Sequence, residues 1–310
     1  MKTITIVTPV YNEDQNIEEV YHRVKKILKN HDELNYKHLF IDNDSSDNSQ
    51  KIIRSLCERD KNVLAIFNRK DYGHIKSPYY AITKCETDAV IFLVADLQDP
   101  PELIDKFIHD WKAGEKLIVA VKKTSKESKV FFMVRRIYYF LLNMIAEEQL
   151  QKNFLGFGLF DKEVVDFLKK IEDPEPYLRG LVIESGFKPK IIEYDQNQRE
   201  RNFTKNNFFT LYDLAMIGIT SYSKWPLRII IFMSFIIGSL SLLVGIVYTI
   251  AKFLYWENFQ AGVSPLIILS TLMFSILMFF LGFVAEYILA IHIRLKKRPL
   301  VEEKERINFK

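Results

Sequence analysis

Two uncharged stretches limit what this chain can fold into more than any other feature. Residues 229–251 run for 23 positions, and residues 258–285 for 28, without one Asp, Glu, Lys or Arg. A helix crosses about 30 Å of hydrocarbon in about 20 apolar residues, so each run predicts a membrane-spanning helix and the pair a hairpin. Lys224 and Arg228 precede the first run, and Arg294, Lys296, Lys297 and Arg298 follow the second, while the connection holds only Lys252 against Glu257. Basic residues collect on the cytoplasmic side, which places both termini in the cytoplasm and makes this a multi-pass protein of the inner membrane. Trp225, Tyr255 and Trp256 stand at the ends of the runs, where aromatic rings favour the interface. A hairpin buried in a soluble core would explain neither the length of the runs nor these flanks.

The mean hydropathy of −0.03 averages over this hairpin and a very different first two thirds. The opening MKTITIVTPVYN alternates like a strand and lacks the long apolar stretch of a signal peptide. Up to residue 200, β-rich apolar runs alternate with amphipathic segments, the pattern of βα units around a largely parallel sheet. Strands are expected at 3–9, 36–42, 63–67, 89–94 and 116–121, and helices at 16–29, 48–59, 75–84 and 101–113. Residues 129–146 suit either the lipid headgroup layer or the flank of the sheet, whereas 206–223, next to the hairpin, suit the interface. Between them, 195–205 (DQNQRERNFTK) is polar and unpatterned. A formal net charge of +4 gives no nucleic-acid footprint, and Cys57 and Cys85 have no spacing that suggests a zinc site.

Three polar clusters follow predicted strands: Thr8-Pro9-Val10-Tyr11-Asn12-Glu13, Ile41-Asp42-Asn43-Asp44-Ser45-Ser46-Asp47, and Val94-Ala95-Asp96-Leu97-Gln98-Asp99-Pro100-Pro101. Open parallel sheets bind ligands at that edge. In order and spacing these clusters resemble the inverting family 2 glycosyltransferases. With Ala285-Glu286-Tyr287 at the end of the hairpin and Lys297-Arg298-Pro299-Leu300 after it, the chain is similar to the polyprenyl-phosphate branch of that family. The resemblance implies a GT-A-type α/β domain over residues 1–205, an interfacial helix over 206–225, the hairpin over 226–293 and a basic cytoplasmic tail over 294–310. It also implies a nucleoside diphosphate sugar as donor and a polyprenyl (undecaprenyl) phosphate at the bilayer as acceptor, with Mg²⁺ or Mn²⁺ as cofactor. Copies can associate through the hairpin.

Carried over residue by residue, the resemblance gives Pro9, Tyr11, Glu13 and Asp42 to the nucleotide, and Asp96 and Gln98 to the metal. Arg199, Lys205 and Arg136 go to the phosphates of donor and acceptor, with Lys122 and Lys123 as further candidates. His74 is left unassigned. Asp47 reads as a helix cap, and Asp99 as a cap for the helix near Pro101.

Five departures from the family pattern bear on the chemistry. Val94 replaces one acid of the usual pair, Asn43 stands where a second Asp is common, and Asp44 stands where Gly is usual. Gly156 and Gly158 occupy the positions of an acid and an Arg that follow the fifth strand in many members. The missing acid would serve as base toward a hydroxyl acceptor, help commonly worth about 10²- to 10⁴-fold. A phosphate monoester, with its second pKa near about 6, is largely ionised at neutral pH and needs no base. Asp161 is the nearest remaining carboxylate and takes no role from sequence. Two other readings stay open at this point: transfer to a glycan hydroxyl, and a degenerate nucleotide-binding or scaffold protein.

Overall fold

The structure, a computed structural model, describes residues 1–123, 154–195, 263–295 and 299–309, with scattered positions between 232 and 254. Its first compact unit is an α/β domain with eight strands in the order β7-β5-β6-β4-β1-β2-β3-β8. The strands are β1 (Lys2–Val10), β2 (Leu34–Asp42), β3 (Val63–Asn68), β4 (Ala89–Phe92), β5 (Leu117–Lys122), β6 (Phe154–Asp161), β7 (Lys190–Tyr194) and β8 (Glu303–Ile307). Helices α1 (Ile17–Leu28), α2 (Ser49–Arg59), α3 (Gly73–Thr83) and α4 (Leu103–Lys112) connect the first five strands, and α5 (Lys162–Lys169) and α6 (Leu178–Glu184) follow β6. Pairs β1–β2, β1–β4, β2–β3 and β5–β7 are parallel, while β4–β6, β5–β6 and β3–β8 are antiparallel.

The parallel strands are apolar and buried on both faces, as a sheet covered by helices requires. Ile4, Ile6, Leu39, Phe40, Ile41, Ala65 and Ile66 are almost fully enclosed. In α1, the buried Ile17, Val20, Tyr21, Val24 and Leu28 recur at helical spacing and lay one stripe on the sheet. The expected elements fall within a few residues of the observed ones. One shortfall matters for the site: β4 ends at Phe92 where the sequence pattern continues to Val94.

That early end opens the crevice. β2 runs beside β1 as far as Val10, but β4 pairs with β1 only from Ile4 to Val7. The Val7 carbonyl, which accepts from Leu93 N at 3.0 Å, points toward β4. Pro9, two residues on, faces the same way, so its missing N–H falls where β4 has already turned off. The central strand thus ends with a free flank between the exits of β1 and β4, the switch point at which such sheets take ligands.

The segment expected as a separate basic tail is part of this domain. Residues 296–310 belong to the first unit, and β8 closes the sheet against β3. Arg69 N donates to Glu302 O at 3.0 Å, Arg54 grips Glu305 through two bonds of 2.9 and 2.7 Å, and Asn308 Nδ2 reaches the carbonyls of Cys57 and Val63. Val301 is buried beside them. Four consecutive charges from Glu303 to Arg306 hide this strand in the sequence, yet they suit a sheet edge, where charge discourages pairing with another chain.

The second unit includes α7 (Val263–Leu295), a 33-residue helix that exposes Leu266, Leu269, Phe274, Leu277, Leu281, Ile288 and Ile291. By the hydropathy of the described residues alone, no helix is long and apolar enough to cross a membrane. The expected helices at 129–146 and 206–223 lie outside the described residues.

Candidate active site

The exits of β1 and β2 are laced together by short hydrogen bonds. Asn12 N donates to Ser45 Oγ at 2.9 Å, Ser46 N returns to Asn12 Oδ1 at 2.8 Å, and Glu13 N donates to Ser49 Oγ at 3.0 Å. Asn12 and Asp44 both take left-handed backbone, at φ +54° and +62°. Asn and Asp tolerate that region better than other side chains, and the family's glycine at position 44 meets the same demand. Asp47 accepts from Asp14 N and from Ser49 N, so it ties the two loops together at the start of α2.

Four residues expected at the nucleotide lie along this seam. Pro9 is half-buried on the free flank of β1, Tyr11 is 40% exposed, and Glu13 is buried with one carboxylate oxygen accepting from Asn16 Nδ2 at 2.6 Å. Asp42 is fully enclosed at the end of β2. Its Oδ2 accepts from Ser45 N at 3.1 Å and Gln50 Nε2 at 2.8 Å, whereas its Oδ1 has no hydrogen-bond partner among the described residues. Burial pushes the Asp42 carboxyl above its ordinary pKa. A buried acceptor without a donor costs about 1–3 kcal/mol.

Asn43 explains its own departure. Its side chain faces the β3–α3 connection, accepting from Asn68 Nδ2 at 2.9 Å and Tyr72 N at 3.0 Å and donating to Asp71. An Asp at 43 would set two carboxylates against each other; the neutral amide removes that repulsion. Nothing in the sequence pattern indicates Asn68, which is completely buried at the bulge between β3 and β8.

After β4, the chain turns through Leu97 at φ +57°, a left-handed conformation that costs roughly 1–2 kcal/mol for a residue with a Cβ. Asp96 Oδ1 accepts from Gln98 N across this turn at 3.1 Å. Exposure alternates: Asp96 and Gln98 are half-exposed, while Leu97 and Asp99 are buried. Among the described residues no group of three or more His, Cys, Asp or Glu could hold a metal. The pair Asp96 and Gln98 fits a hard cation that takes one carboxylate and an amide oxygen from the protein and completes its shell with water and substrate phosphates, as Mg²⁺ and Mn²⁺ do.

One expectation for a carboxylate is corrected, and one carboxylate left without a role gains one. Asp99 does not cap α4; Glu102 holds that position, and Asp99 instead accepts from the hydroxyl of Tyr194 at the end of β7. Asp161 does cap, accepting from Glu163 N, and also receives Trp111 Nε1 at 2.7 Å. It pairs with Ala89 at the start of β4, so it lies at the edge of the sheet away from the crevice.

Gly156 and Gly158 are required by packing. β6 runs antiparallel to β4, which brings its first residues to the crevice edge. Gly156 there has φ +112°, and a Cβ on it would approach the Phe92 ring at 3.1 Å. A Cβ on Gly158 would overlap the Ile118 carbonyl oxygen. The positions that hold an acid and an Arg in many relatives therefore leave almost no room for side chains here. Lys122 ends β5, and Lys123 pairs with Glu193 at 3.6 Å. Arg136, Arg199 and Lys205 lie outside the described residues.

A mixed, mostly parallel sheet with polar turns at the exits of β1, β2 and β4 is the architecture of a nucleotide-sugar enzyme, and the glycosyl transferase family 2 model matches residues 5–168. The chain belongs to that family and is a glycosyltransferase. It is 32% identical over 298 residues to an uncharacterized glycosyltransferase of Bacillus subtilis, a match covering 96% of this chain and 91% of the relative. It is 29% identical to a prophage bactoprenol glucosyl transferase homolog of Escherichia coli, and 28% identical to a bactoprenol glucosyl transferase of Shigella phage SfII, with 96% of each chain covered in both cases. Among solved structures, glucosyl-3-phosphoglycerate synthase from Mycobacterium tuberculosis in complex with Mn²⁺, uridine diphosphate and phosphoglyceric acid aligns at 16% identity and a TM-score of 0.46, covering 70% of this chain and 75% of that one. A likeness that slight carries no argument about mechanism.

Proposed function

We propose that this glycosyltransferase moves a sugar from a nucleoside diphosphate onto a polyprenyl phosphate at the cytoplasmic face of the membrane, inverting the anomeric carbon. The observation that carries the reading is the glycine at 156. Where a base would stand for a hydroxyl acceptor, φ +112° and the Phe92 ring disfavour any side chain. An acceptor that is already ionised needs no base, and a phosphate monoester is one. The names of the relatives point the same way, since two of them are bactoprenol glucosyl transferases or homologs of one.

In this reading Tyr11 and Pro9 offer an apolar surface to the base, Glu13 faces the ribose hydroxyls, and the unpartnered Asp42 Oδ1 accepts an N–H from the base edge. Asp96 and Gln98 would hold Mg²⁺ or Mn²⁺, which supplies positive charge to the leaving diphosphate when bound. Arg199, Lys205 and Arg136 would bind the phosphates, with arginine suited to gripping two oxygens at once. The runs at 229–251 and 258–285 would span the bilayer as a hairpin, α7 turning its exposed Leu and Ile side chains to lipid. Holding a lipid headgroup at the interface and a nucleotide in the crevice makes the encounter effectively intramolecular.

Membranes containing the protein, given labelled nucleoside diphosphate sugars and Mg²⁺, test this directly. Label should pass to added undecaprenyl phosphate and not to undecaprenol. Transfer confined to the alcohol, or to a glycan hydroxyl, would overturn the assignment of the acceptor.

A further inference from the structure

The turn that presents Asp96 and Gln98 is not self-supporting. Leu97 at its centre is left-handed without being glycine, and such backbone persists only where the surroundings hold it. One restraint is local, the bond from Gln98 N to Asp96 Oδ1. A second comes from 95 residues away in sequence: Tyr194 donates its hydroxyl to Asp99 Oδ1. Both residues are buried, Tyr194 at 6% and Asp99 at 4% exposure, and the Phe157 ring meets the Tyr194 ring edge-on at 6.0 Å. Burial and the Asp99 charge push the Tyr194 hydroxyl far above its ordinary pKa, so it remains a donor. Its backbone carbonyl accepts from Lys123 N at 2.9 Å. One residue thereby fastens both the turn after β4 and the exit of β5.

We propose that Tyr194 is a positioning residue for the divalent cation: its hydroxyl, acting through Asp99, fixes the turn in which Asp96 and Gln98 point outward together. The proposal rests on the assignment of the ion to those two side chains. Tyr194 touches neither ion nor substrate. Because Leu97 and Asp99 point inward and alternate with Asp96 and Gln98, pinning Asp99 sets the direction of its neighbours. Removing the hydroxyl withdraws a donor from a buried carboxylate and leaves the strained turn free to relax. Partners that orient metal ligands typically matter by about 10- to 100-fold in metal affinity.

The test is Mn²⁺ binding by the full chain in detergent with UDP present, read by electron paramagnetic resonance beside thermal unfolding. Tyr194→Phe should weaken Mn²⁺ binding by about 10-fold or more, and transfer by this variant should recover when Mn²⁺ is raised. Asp99→Ala should do the same, and the double variant should be no worse than either alone. Asp99→Asn, which keeps an acceptor for the hydroxyl, should bind more tightly than Asp99→Ala, and this comparison decides the matter if Tyr194→Phe does not fold. If wild type binds Mn²⁺, Asp96→Ala does not, and Tyr194→Phe binds as wild type, the inference fails while the site stands. If Asp96→Ala binds as wild type does, or wild type does not bind, the ion's assignment fails and takes the inference with it.

Discussion

Restoring the family's acid by Gly156→Asp should damage the protein rather than improve it. Two costs follow from the coordinates. Backbone at φ +112° lies in a region that residues with a Cβ rarely adopt, a strain of about 1–3 kcal/mol. A Cβ 3.1 Å from one Phe92 ring carbon and 3.3 Å from another forces the ring or β6 to shift, and Phe92 is only 5% exposed, so overpacking adds about 1–3 kcal/mol. Together that is roughly 2–6 kcal/mol, a large share of the roughly 5–15 kcal/mol that holds a domain folded. For a domain of this size each kcal/mol lowers the melting temperature by about 2–4 °C, so thermal unfolding of the full chain in detergent should drop by about 5–20 °C. The same variant should gain no transfer to undecaprenol. A variant as stable as wild type that glycosylates the alcohol would refute the argument from Gly156, and with it the case against a hydroxyl acceptor.

Three further outcomes are expected. Asp42→Asn relieves a buried carboxyl and should raise the melting temperature, yet weaken UDP binding by about 10-fold or more through loss of a charge-assisted bond; unchanged UDP affinity in calorimetry would remove Asp42 from the site. Asp96→Ala should abolish Mg²⁺-dependent transfer with the sheet intact by circular dichroism, and undiminished turnover would dismiss the metal assignment. His38 is buried with its pKa lowered to about 3 from 6.5, so the unfolded chain takes up a proton that the folded chain refuses. Stability is therefore full above pH 6.5 and drains as pH falls, by about 1.4 kcal/mol per unit, or about 2 kcal/mol by pH 5. Denaturant titrations across that range should show the slope in wild type and a flatter one in His38→Gln.

The first five strands and four helices were legible because each obeys a simple period, two for half-covered strands or 3.6 for α1, or forms an apolar run of strand length. The polar strings were legible because turn residues after a strand mark the ligand edge of a parallel sheet. What escaped the sequence is what depends on distant partners. Tyr194 looks like an ordinary aromatic at a strand end until Asp99 is found beneath it. Gly156 and Gly158 stand out as departures, but their reason, the Phe92 ring and the Ile118 carbonyl, belongs to neighbouring strands. β8 is hidden because four charges in five residues resemble a solvated tail, and only β3 gives them a place. Asp99 reads as a cap and proves to be the partner of Tyr194, while Asp161, which takes no role from sequence, proves to be the cap.

The most direct test of the whole account is the bond made in the product. After transfer from a donor labelled with ¹³C at the anomeric carbon, the purified lipid should show that carbon coupled to a single ³¹P in a phosphodiester, with anomeric configuration opposite to that of the donor. A product whose anomeric carbon is bonded to an oxygen that bears no phosphorus, or one that retains the donor's configuration, would contradict it.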